Sequence, residues 1–359
     1  MARIVLVAPT AFKGTLRPRE VAEALASGVR RALPEAVVLN CPIADGGDGL
    51  LDAVLPQGNL LERVRVTGPL ETPVEAGLGW IDAQTAIFES ASACGLALLR
   101  PEERDPLRAS SRGVGELLFE AVDRGAETVI VGLGGTATVD GGTGAARGLG
   151  WTFADAEGRP LPEGGGALPM LATMGGGWGL SARVIALTDV VAPLIGPEGA
   201  APVFAPQKGA TPAHVTHLAR GLERLAEAFA RGGRPELATL PGGGAAGGLG
   251  AGLVYFAKAD LTQGAEWVFA RVGFDAALAK ADLVITGEGV FDRTSLVGKA
   301  AGEAVRRAQA ARKKVTVVAA RAEAFAGVHV VTGEGQLDAA AIAALGERAA
   351  REAFGLPAA

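Results

Sequence analysis

The sequence predicts an α/β protein of two domains, at least one of which contains a parallel sheet. Its 359 residues, at about 150 residues per domain, favour two domains. Short apolar runs alternate along the chain with segments whose apolar residues recur at helical spacing. The 53 glycines exceed the usual share of roughly 7%, and they cluster where apolar runs end. Such positions are typical of tight turns and of loops that approach a ligand closely.

The composition excludes several classes of protein. With 49% hydrophobic and 20% charged residues, the chain is not of the disordered class. A formal net charge of −5 and 5% aromatic residues argue against a nucleic-acid partner. Two cysteines, Cys41 and Cys94, are too few for a disulfide framework or a four-ligand zinc site, and they fit a reducing cytoplasm. No apolar run reaches the roughly 18 residues of a membrane span, and the run before Pro9 is too short for a signal peptide. We therefore expect a cytoplasmic protein with no membrane partner.

The first part of the chain alternates between strand and helix patterns. Residues 4–8 form an apolar run rich in β-branched side chains, and a helical pattern follows Pro18 up to residue 33. A second strand is predicted over 37–43 and a helix over 50–55.

The pattern changes in the middle of the chain. Strands are predicted over 64–66, 74–81 and 86–89, and they are expected to be antiparallel because no helix fits between them. Alternation of helix and strand then resumes. The elements expected there are a helix over 113–123, strands over 128–131 and 183–187, and helical segments within 212–277.

The last part of the chain again alternates. Strands are predicted over 283–285 and 315–319, a helix over 300–312, and a short apolar run over 328–331. Mixed structure between two such ends predicts one domain inserted in another. We expect a Rossmann-like or flavodoxin-like parallel-sheet domain, built from both termini over 1–65 and 270–359. An inserted mixed α/β domain is expected over 66–269, with the active site in the cleft between the two.

Lysine is rare in this chain, and its placement is informative. Only seven of the 34 basic residues are lysines, and three of them, Lys13, Lys208 and Lys299, adjoin a glycine. A compact ammonium group beside flexible backbone suits a phosphate oxygen or a small carboxylate. The alternative is that these are solvated loop lysines.

Acidic residues also lie beside glycines or after strands. Carboxylates at the carboxyl ends of strands can bind Mg²⁺ or accept a hydroxyl proton. Any of them can instead cap a helix, and this alternative is strongest for Asp140 and Asp292. The full set is Asp45, Asp48, Asp140, Asp189, Glu288 and Asp292.

Common nucleotide and metal motifs are absent or out of place. No P-loop string occurs, and the dinucleotide-like spacing of Gly242, Gly244 and Gly247 follows a non-strand segment. That glycine-rich run can still offer N–H groups to an anion. His214 and His217 lie three residues apart without a third ligand nearby, which favours a solvated helix face over a zinc site.

Seven short strings carry a resemblance to a known family. The chain resembles the type I glycerate kinases, a bacterial family that phosphorylates D-glycerate with ATP, and the strings occur in the family's order over nearly the whole chain. They are APTAFKGTL at 8–16, ADGGDG at 44–49, VTGPL at 66–70, GGTATVDGG at 134–142, FAPQKGA at 204–210, GGGAAGGLGAG at 242–252, and TGEG at 286–289 followed by SLVGK at 295–299.

The resemblance implies a function and a set of site residues. It implies transfer of the γ-phosphoryl group of ATP, with Mg²⁺, to a hydroxyl of D-glycerate, with the 2-hydroxyl favoured. The assembly is left open, with a homodimer as one option. Within the matched strings we assign roles on that basis as a hypothesis: catalysis to Lys13, Asp45 and Asp189, substrate binding to Gly46, Gly47, Gln207 and Lys208, ATP binding to Gly134, Gly135, Gly287, Glu288, Gly289, Ser295 and Lys299, and Mg²⁺ binding to Asp48 and Asp189.

The chain departs from the family pattern at several polar positions. These departures predict a shifted specificity or a reduced activity. The alternatives are a kinase for another small hydroxy acid or sugar acid, and a catalytically silent ligand-binding homologue. The departures are Thr10 and Ala11 for Asp-Ser, Asp48 for Glu, Leu50 for Thr, Val139 for Asn, Val191 and Ala192 for Thr-Asn, Val290 for Arg, and Thr294 for Gln.

Overall fold

A computed structural model describes residues 2–12, 14–56, 61–296, 298–333, 335 and 337–357. The chain divides into two units. The terminal unit comprises Met1–Val54 and Gly264–Ala359, and the central unit comprises Leu55–Gln263. No helix within the described ranges is both long enough and apolar enough to cross a membrane.

Strands and helices alternate along most of the chain. The strands are β1 (Ile4–Pro9), β2 (Val37–Asn40), β3 (Glu62–Thr67), β4 (Pro73–Asp82), β5 (Thr85–Glu89), β6 (Thr128–Gly132), β7 (Thr152–Ala154), β8 (Thr173–Gly175), β9 (Arg183–Thr188), β10 (Asp260–Gln263), β11 (Leu283–Phe291), β12 (Lys314–Ala322) and β13 (His329–Thr332). The helices are α1 (Pro18–Ala32), α2 (Leu50–Val54), α3 (Ser90–Cys94), α4 (Arg112–Asp123), α5 (Thr143–Gly148), α6 (Ala200–Phe204), α7 (Pro212–Arg231), α8 (Ala245–Phe256), α9 (Gly264–Val272), α10 (Phe274–Lys280), α11 (Ala300–Ala310) and α12 (Ala339–Phe354).

The terminal unit contains a five-stranded sheet in the order β13-β12-β11-β1-β2, and every neighbouring pair is parallel. Its central strands are apolar because helices cover both faces. Leu6 and Ala8 point into a core shared with α9, α10 and α11, whereas Val5 and Val7 point into a core shared with α1 and α12. The predicted fold class, with a parallel sheet built from both ends of the chain, is confirmed.

Helices α1 and α12 pack closely on the second of these faces. The reason is Gly28, because a Cβ atom there would lie 1.9 Å from the carbonyl oxygen of Ala343. The close backbone approach brings α12 onto the sheet beside α1, and it fixes the two ends of the chain in one layer.

The central unit contains a six-stranded mixed sheet in the order β10-β9-β6-β5-β4-β3. The β3–β4 and β4–β5 pairs are antiparallel and the other pairs are parallel. The antiparallel arrangement predicted for the middle of the chain is therefore confirmed. A separate pair, β7 and β8, forms a small antiparallel ribbon.

Two of the differences from the sequence-based expectations have a clear physical reason. Strand β2 ends at Asn40, yet the N–H groups of Cys41 and Ile43 still bond to Val7 and Pro9 of β1, so residues 41–43 extend the pairing without forming a regular strand. The stretch 212–277 contains β10 as well as helices. This strand escaped prediction because Asp260–Gln263 holds one large apolar residue, Leu261, and its position is set by pairing with β9.

Candidate active site

A cavity of about 720 Å³ lies at the carboxyl ends of the parallel strands of the terminal unit. All five strands contribute to it: Thr10 follows β1, Asp45 follows β2, Glu288 lies on β11, Arg321 on β12, and Gly333 follows β13. Open parallel sheets bind ligands at this edge, and the volume falls within the usual range for small-molecule sites. The cavity is therefore the candidate ligand site of this unit.

The loop after β2 brings two predicted acidic residues to the cavity. Asp45 accepts a hydrogen bond from the backbone N–H of Ala300, the first residue of α11. A carboxylate at a helix N-terminus is favourable because it faces the positive end of the helix dipole. Asp48 is exposed and lines the cavity. Gly46 and Gly47 lie between the two, and Gly46 has a φ of +82° that favours glycine.

Glu288 is a largely buried carboxylate in the cavity wall. Within the described residues its Oε1 atom is buried without a hydrogen-bond partner, and its Oε2 lies 4.0 Å from Nζ of Lys299. Burial is the main cause that raises the pKa of Glu288; Ser295 and Lys299 lower it, and Asp45 and Asp292 raise it further. A buried carboxylate with a free oxygen and a raised pKa has the properties of a proton acceptor.

The other predicted residues of this segment hold its backbone in place. The carbonyl oxygen of Gly287 accepts bonds from the N–H and the hydroxyl of Thr10, and a Cβ atom on Gly287 would lie 2.5 Å from the carbonyl oxygen of Val318. Ser295 is fully buried, and its Oγ accepts the N–H of Asp292. Gly289 and Lys299 line the cavity itself.

Several departures from the family pattern lie in this cavity. Thr10, Ala11, Asp48 and Val290 all line it. Val290 is paired in register with Arg321 of the neighbouring strand, and sequence analysis did not select Arg321. The sequence does carry a signal for Arg321, because this cation directly follows an apolar run at the predicted carboxyl end of a parallel strand.

In the central unit, two of the seven strings come together around Lys208. The side chain is only 3% exposed. Its ammonium group donates to Oγ1 of Thr136 at 3.3 Å and to the carbonyl oxygen of Thr138 at 2.7 Å. Burial lowers the pKa of Lys208 to about 8, and Cys94 and Asp140 oppose that shift. Lys208 thus stabilises the loop after β6 through its hydrogen bonds to Thr136 and Thr138.

Asp140 organises the far end of the same loop. It is fully buried and accepts bonds from the N–H and hydroxyl of Ser111 at 2.8 Å each, and from the N–H groups of Gly142 and Gly144 at 3.1 Å each. Burial is the main cause that raises its pKa, and the bonds from Ser111, Gly142 and Gly144 lower it. Asp140 therefore ties this loop to the start of α4, which is a larger role than capping one helix.

The glycine-rich run 242–252 packs against this loop. A Cβ atom on Gly247 would lie 1.9 Å from the carbonyl oxygen of Thr138, and the N–H of Gly141 donates to the carbonyl oxygen of Gly247 at 3.0 Å. Close backbone contact accounts for the missing side chain here without a dinucleotide.

The remaining predicted residues lie at loops of the central unit or outside the described part of the chain. Gly134 exchanges weak bonds with the Ser90 hydroxyl, and Gly135 is exposed with a φ of +63°. Asp189 follows β9 and is half-buried, and Gln207 is exposed. Lys13 lies outside the described residues.

The donor chemistry of the cavity suits Mg²⁺ better than a transition metal. In the part of the chain that is described, no group of three or more His, Cys, Asp or Glu side chains could hold a metal ion by itself. Mg²⁺ is usually held by one or two carboxylates together with substrate phosphates and water. Asp45 and Asp48 offer such oxygens in one cavity. His217 instead contacts the carbonyl oxygen of Gly166 at 2.8 Å.

Comparison with known proteins places these features in a family. The profile of the glycerate kinase family matches residues 5–328. A glycerate 2-kinase from Escherichia coli K12 is 40% identical over 302 residues, which cover 82% of this chain and 79% of the relative. A glycerate kinase from Bacillus subtilis 168 is 40% identical over 303 residues, with the same coverage.

A solved structure agrees over almost the full length. The crystal structure of a chain from Salmonella typhimurium LT2, provisionally named glycerate kinase 2, superposes with a TM-score of 0.82 at 38% identity. The match covers 99% of this chain and 97% of that one. The chain therefore belongs to the glycerate kinase family and is an enzyme of the phosphotransferase class.

Proposed function

We propose that this protein transfers the γ-phosphoryl group of ATP to the 2-hydroxyl of D-glycerate. The observation that carries the proposal is the Glu288 carboxylate in the cavity of the terminal unit: its Oε1 is buried without a partner among the described residues, and its Oε2 lies 4.0 Å from Nζ of Lys299. Membership of the glycerate kinase family supports the substrate, and the name of the Escherichia coli relative supports the 2-hydroxyl.

We assign the reacting hydroxyl to Glu288. The hydroxyl oxygen bonds to the γ-phosphorus, the bond from that phosphorus to the bridging oxygen breaks, and ADP leaves with the electron pair. The hydroxyl proton passes to Glu288, whose raised pKa makes it a better acceptor than an ordinary carboxylate. Asp189, which the sequence favoured for this role, is the competing assignment.

The phosphate side is assigned to the segment that leads into α11. Phosphoryl transfer asks the protein mainly for positioning and for neutralisation of charge. Lys299 supplies a cation at the cavity wall, and Asp45 fixes the start of α11 next to it. Asp48 would hold Mg²⁺, which when bound neutralises phosphate charge. We also propose, as part of the same function, the contacts with substrate or ATP that the sequence predicts for five further residues: Lys13, Gly134, Gly135, Gln207 and Lys208.

A second candidate is a kinase for a different small hydroxy acid. The specific observation in its favour is that Thr10, Ala11 and Val290, where the chain departs from the family pattern, line the cavity. A site favours the substrate whose polar groups pair with all of its own buried polar groups. Different side chains around the substrate therefore favour a different acid.

One assay tests both candidates. ADP release is measured with D-glycerate, L-glycerate and a panel of hydroxy and sugar acids, with ATP and Mg²⁺. We expect the highest kcat/KM with D-glycerate. The phosphorus NMR signal of the product separates a phosphate on the secondary carbon from one on the primary carbon by its proton coupling. Binding of acids in a thermal-shift assay without ADP release would instead support a silent homologue.

A cytoplasmic location is proposed with this function, because ATP is its co-substrate.

A further inference from the structure

Arg321 is a cation of the cavity wall that has no role in the proposed phosphoryl transfer. It lies near the end of β12, and its Cα is paired in register with Val290 of β11. Two residues earlier on the same strands, Ala319 is paired with Glu288. Arg321 and Glu288 therefore occupy neighbouring strands, and both line the same cavity.

The two cations of the described cavity wall differ in their surroundings. Lys299 lies 4.0 Å from the Glu288 carboxylate and shares its charge. Arg321 is exposed, and no hydrogen bond or ion pair joins its guanidinium to any described residue. Most other arginines whose side chains make contacts in this chain are paired with acids or carbonyl oxygens, as Arg307 is with Glu266, Asp275 and Glu303. The guanidinium of Arg321 is thus available to a ligand.

An acidic ligand in this cavity needs a counter-charge, and the other cation, Lys299, is already shared with Glu288. Three carboxylates, Asp45, Asp48 and Glu288, line the cavity and would repel an anionic substrate. A buried substrate carboxylate needs a counter-charge and hydrogen-bond donors. A guanidinium offers a rigid planar fork of N–H donors that matches both oxygens of a carboxylate, which a lysine does not.

We propose that Arg321 binds the carboxylate of the hydroxy-acid substrate and so contributes to its specificity. This inference rests on the proposed function and names the residue that holds the acid group. With strands about 4.8 Å apart and about 3.3 Å per residue along them, the Cα atoms of Glu288 and Arg321 are roughly 8 Å apart. A three-carbon acid placed between their side chains has its hydroxyl at Glu288 and its carboxylate at Arg321.

The first test is the variant Arg321→Met, assayed by steady-state kinetics with each substrate varied in turn. We expect KM for D-glycerate to rise by roughly 10- to 100-fold, the usual effect of losing a charged hydrogen-bonding partner. The KM for ATP is expected to change by less than about threefold, since ATP is assigned to the Lys299 side of the cavity. Arg321→Lys keeps the charge but loses the fork, and we expect an intermediate KM. Arg293→Met is the matched control, because the Arg293 side chain is 91% exposed and forms a loose ion pair with Glu323 at 4.0 Å.

The register of the two strands allows a stronger test by relocation. In the double variant V290R/R321M the guanidinium moves to the neighbouring strand, at the Cα position paired with the original one. We expect the KM of this double variant for D-glycerate to be at least about tenfold lower than that of Arg321→Met. A residue needed only for folding would show no such recovery.

The outcomes separate this inference from the proposed function. Wild-type protein that releases ADP with D-glycerate while Arg321→Met keeps an unchanged KM for the acid overturns the role of Arg321 and leaves the function standing. A rise in KM for ATP alone also overturns it, because the guanidinium then binds a phosphate. If no acid is phosphorylated at all, the proposed function fails. The inference is then decided by thermal shift with the same acids, and it is overturned if the wild type and Arg321→Met respond equally.

Discussion

The carboxylate of Asp45 accepts a hydrogen bond from the backbone N–H of Ala300, although 255 residues separate them along the chain. The bond joins the loop after β2 to the first turn of α11, and both border the cavity that contains Lys299. The position of this wall therefore depends on Asp45, which also contributes to the charge of the cavity.

Replacing Asp45 with Asn tests that dependence. The variant keeps the size of the side chain and removes its charge at the helix N-terminus and in the cavity. We expect kcat/KM to fall at least about 100-fold, which corresponds to about 2.7 kcal/mol at 1.36 kcal/mol per decade. ADP release measures the change, and Asp52→Asn on the nearby helix α2 is the control. Near wild-type turnover by Asp45→Asn would contradict the assignment.

Glu288→Gln tests the proton acceptor. A base works only when it is ionised, so activity should rise with pH through the pKa of Glu288, which burial holds above its usual range. We expect about a 100-fold loss of kcat in the variant, together with loss of that acid limb from the pH profile. Because a raised carboxyl pKa makes the folded state bind its proton more tightly, ionisation of Glu288 costs stability as pH rises. Glu288→Gln is therefore expected to be no less stable than the wild type at pH 8.

The competing assignment is decided by the same profile. If Asp189→Asn removes the acid limb and Glu288→Gln keeps it, the hydroxyl proton belongs to Asp189. Glu323→Gln, an exposed change in the same unit, controls for loss of negative charge.

The Lys208→Met variant has an expected signature in stability against pH. In the unfolded chain a lysine holds its proton to about pH 10.5, whereas burial lowers the pKa of Lys208 in the folded protein to about 8. Between these values the unfolded state binds more protons, so Lys208 makes the free energy of unfolding rise with pH. The slope reaches about 1.4 kcal/mol per pH unit. Urea titrations from pH 7.5 to 10 should show this rise in the wild type relative to Lys208→Met.

The exposed Lys258→Met change in the same unit is the reference for that experiment. If the difference in free energy of unfolding between the wild type and Lys208→Met does not change with pH, burial does not lower the pKa of Lys208, and the prediction is wrong. A higher KM for D-glycerate in Lys208→Met would add support for its predicted substrate contact, direct or through the loop at Thr136 and Thr138.

Asp140 and Asp292 were equally good candidates for helix caps in the sequence, and the structure separates them. Asp140→Ala leaves several buried donors unsatisfied, and we expect a loss of about 3 kcal/mol or more in the free energy of unfolding. Asp292 accepts the N–H and hydroxyl of Thr294 on an exposed turn, so Asp292→Ala should cost much less. Chemical denaturation compares the two, and equal losses would refute the distinction.

Local patterns were sufficient for most of the fold. Apolar runs followed by glycine predicted β1, β6 and β11, because strands covered on both faces are apolar throughout. Strand β10 was missed because its sequence carries almost no apolar signal and its pairing with β9 supplies the reason to extend.

The candidate site was less accessible to sequence reasoning. Sequence spacing brought Asp45, Asp48, Glu288 and Lys299 into consideration together, and all four line the cavity. The burial of Lys208 was not foreseeable, since it arises from the packing of one loop on another. Arg321 was overlooked because its significance depends on a cross-strand neighbour, Val290, 31 positions earlier in the chain.

The pairing of β1 with β11 has a consequence for biosynthesis. Val5 lies beside Leu283 in the finished sheet, so β1 must wait during synthesis for a partner that lies 278 positions further along the chain. Residues 55–263 emerge during that interval with a core of their own and can fold first. The parallel sheet, and with it the edge that lines the cavity, is therefore completed only after the central unit has been made, when β11, β12 and β13 emerge.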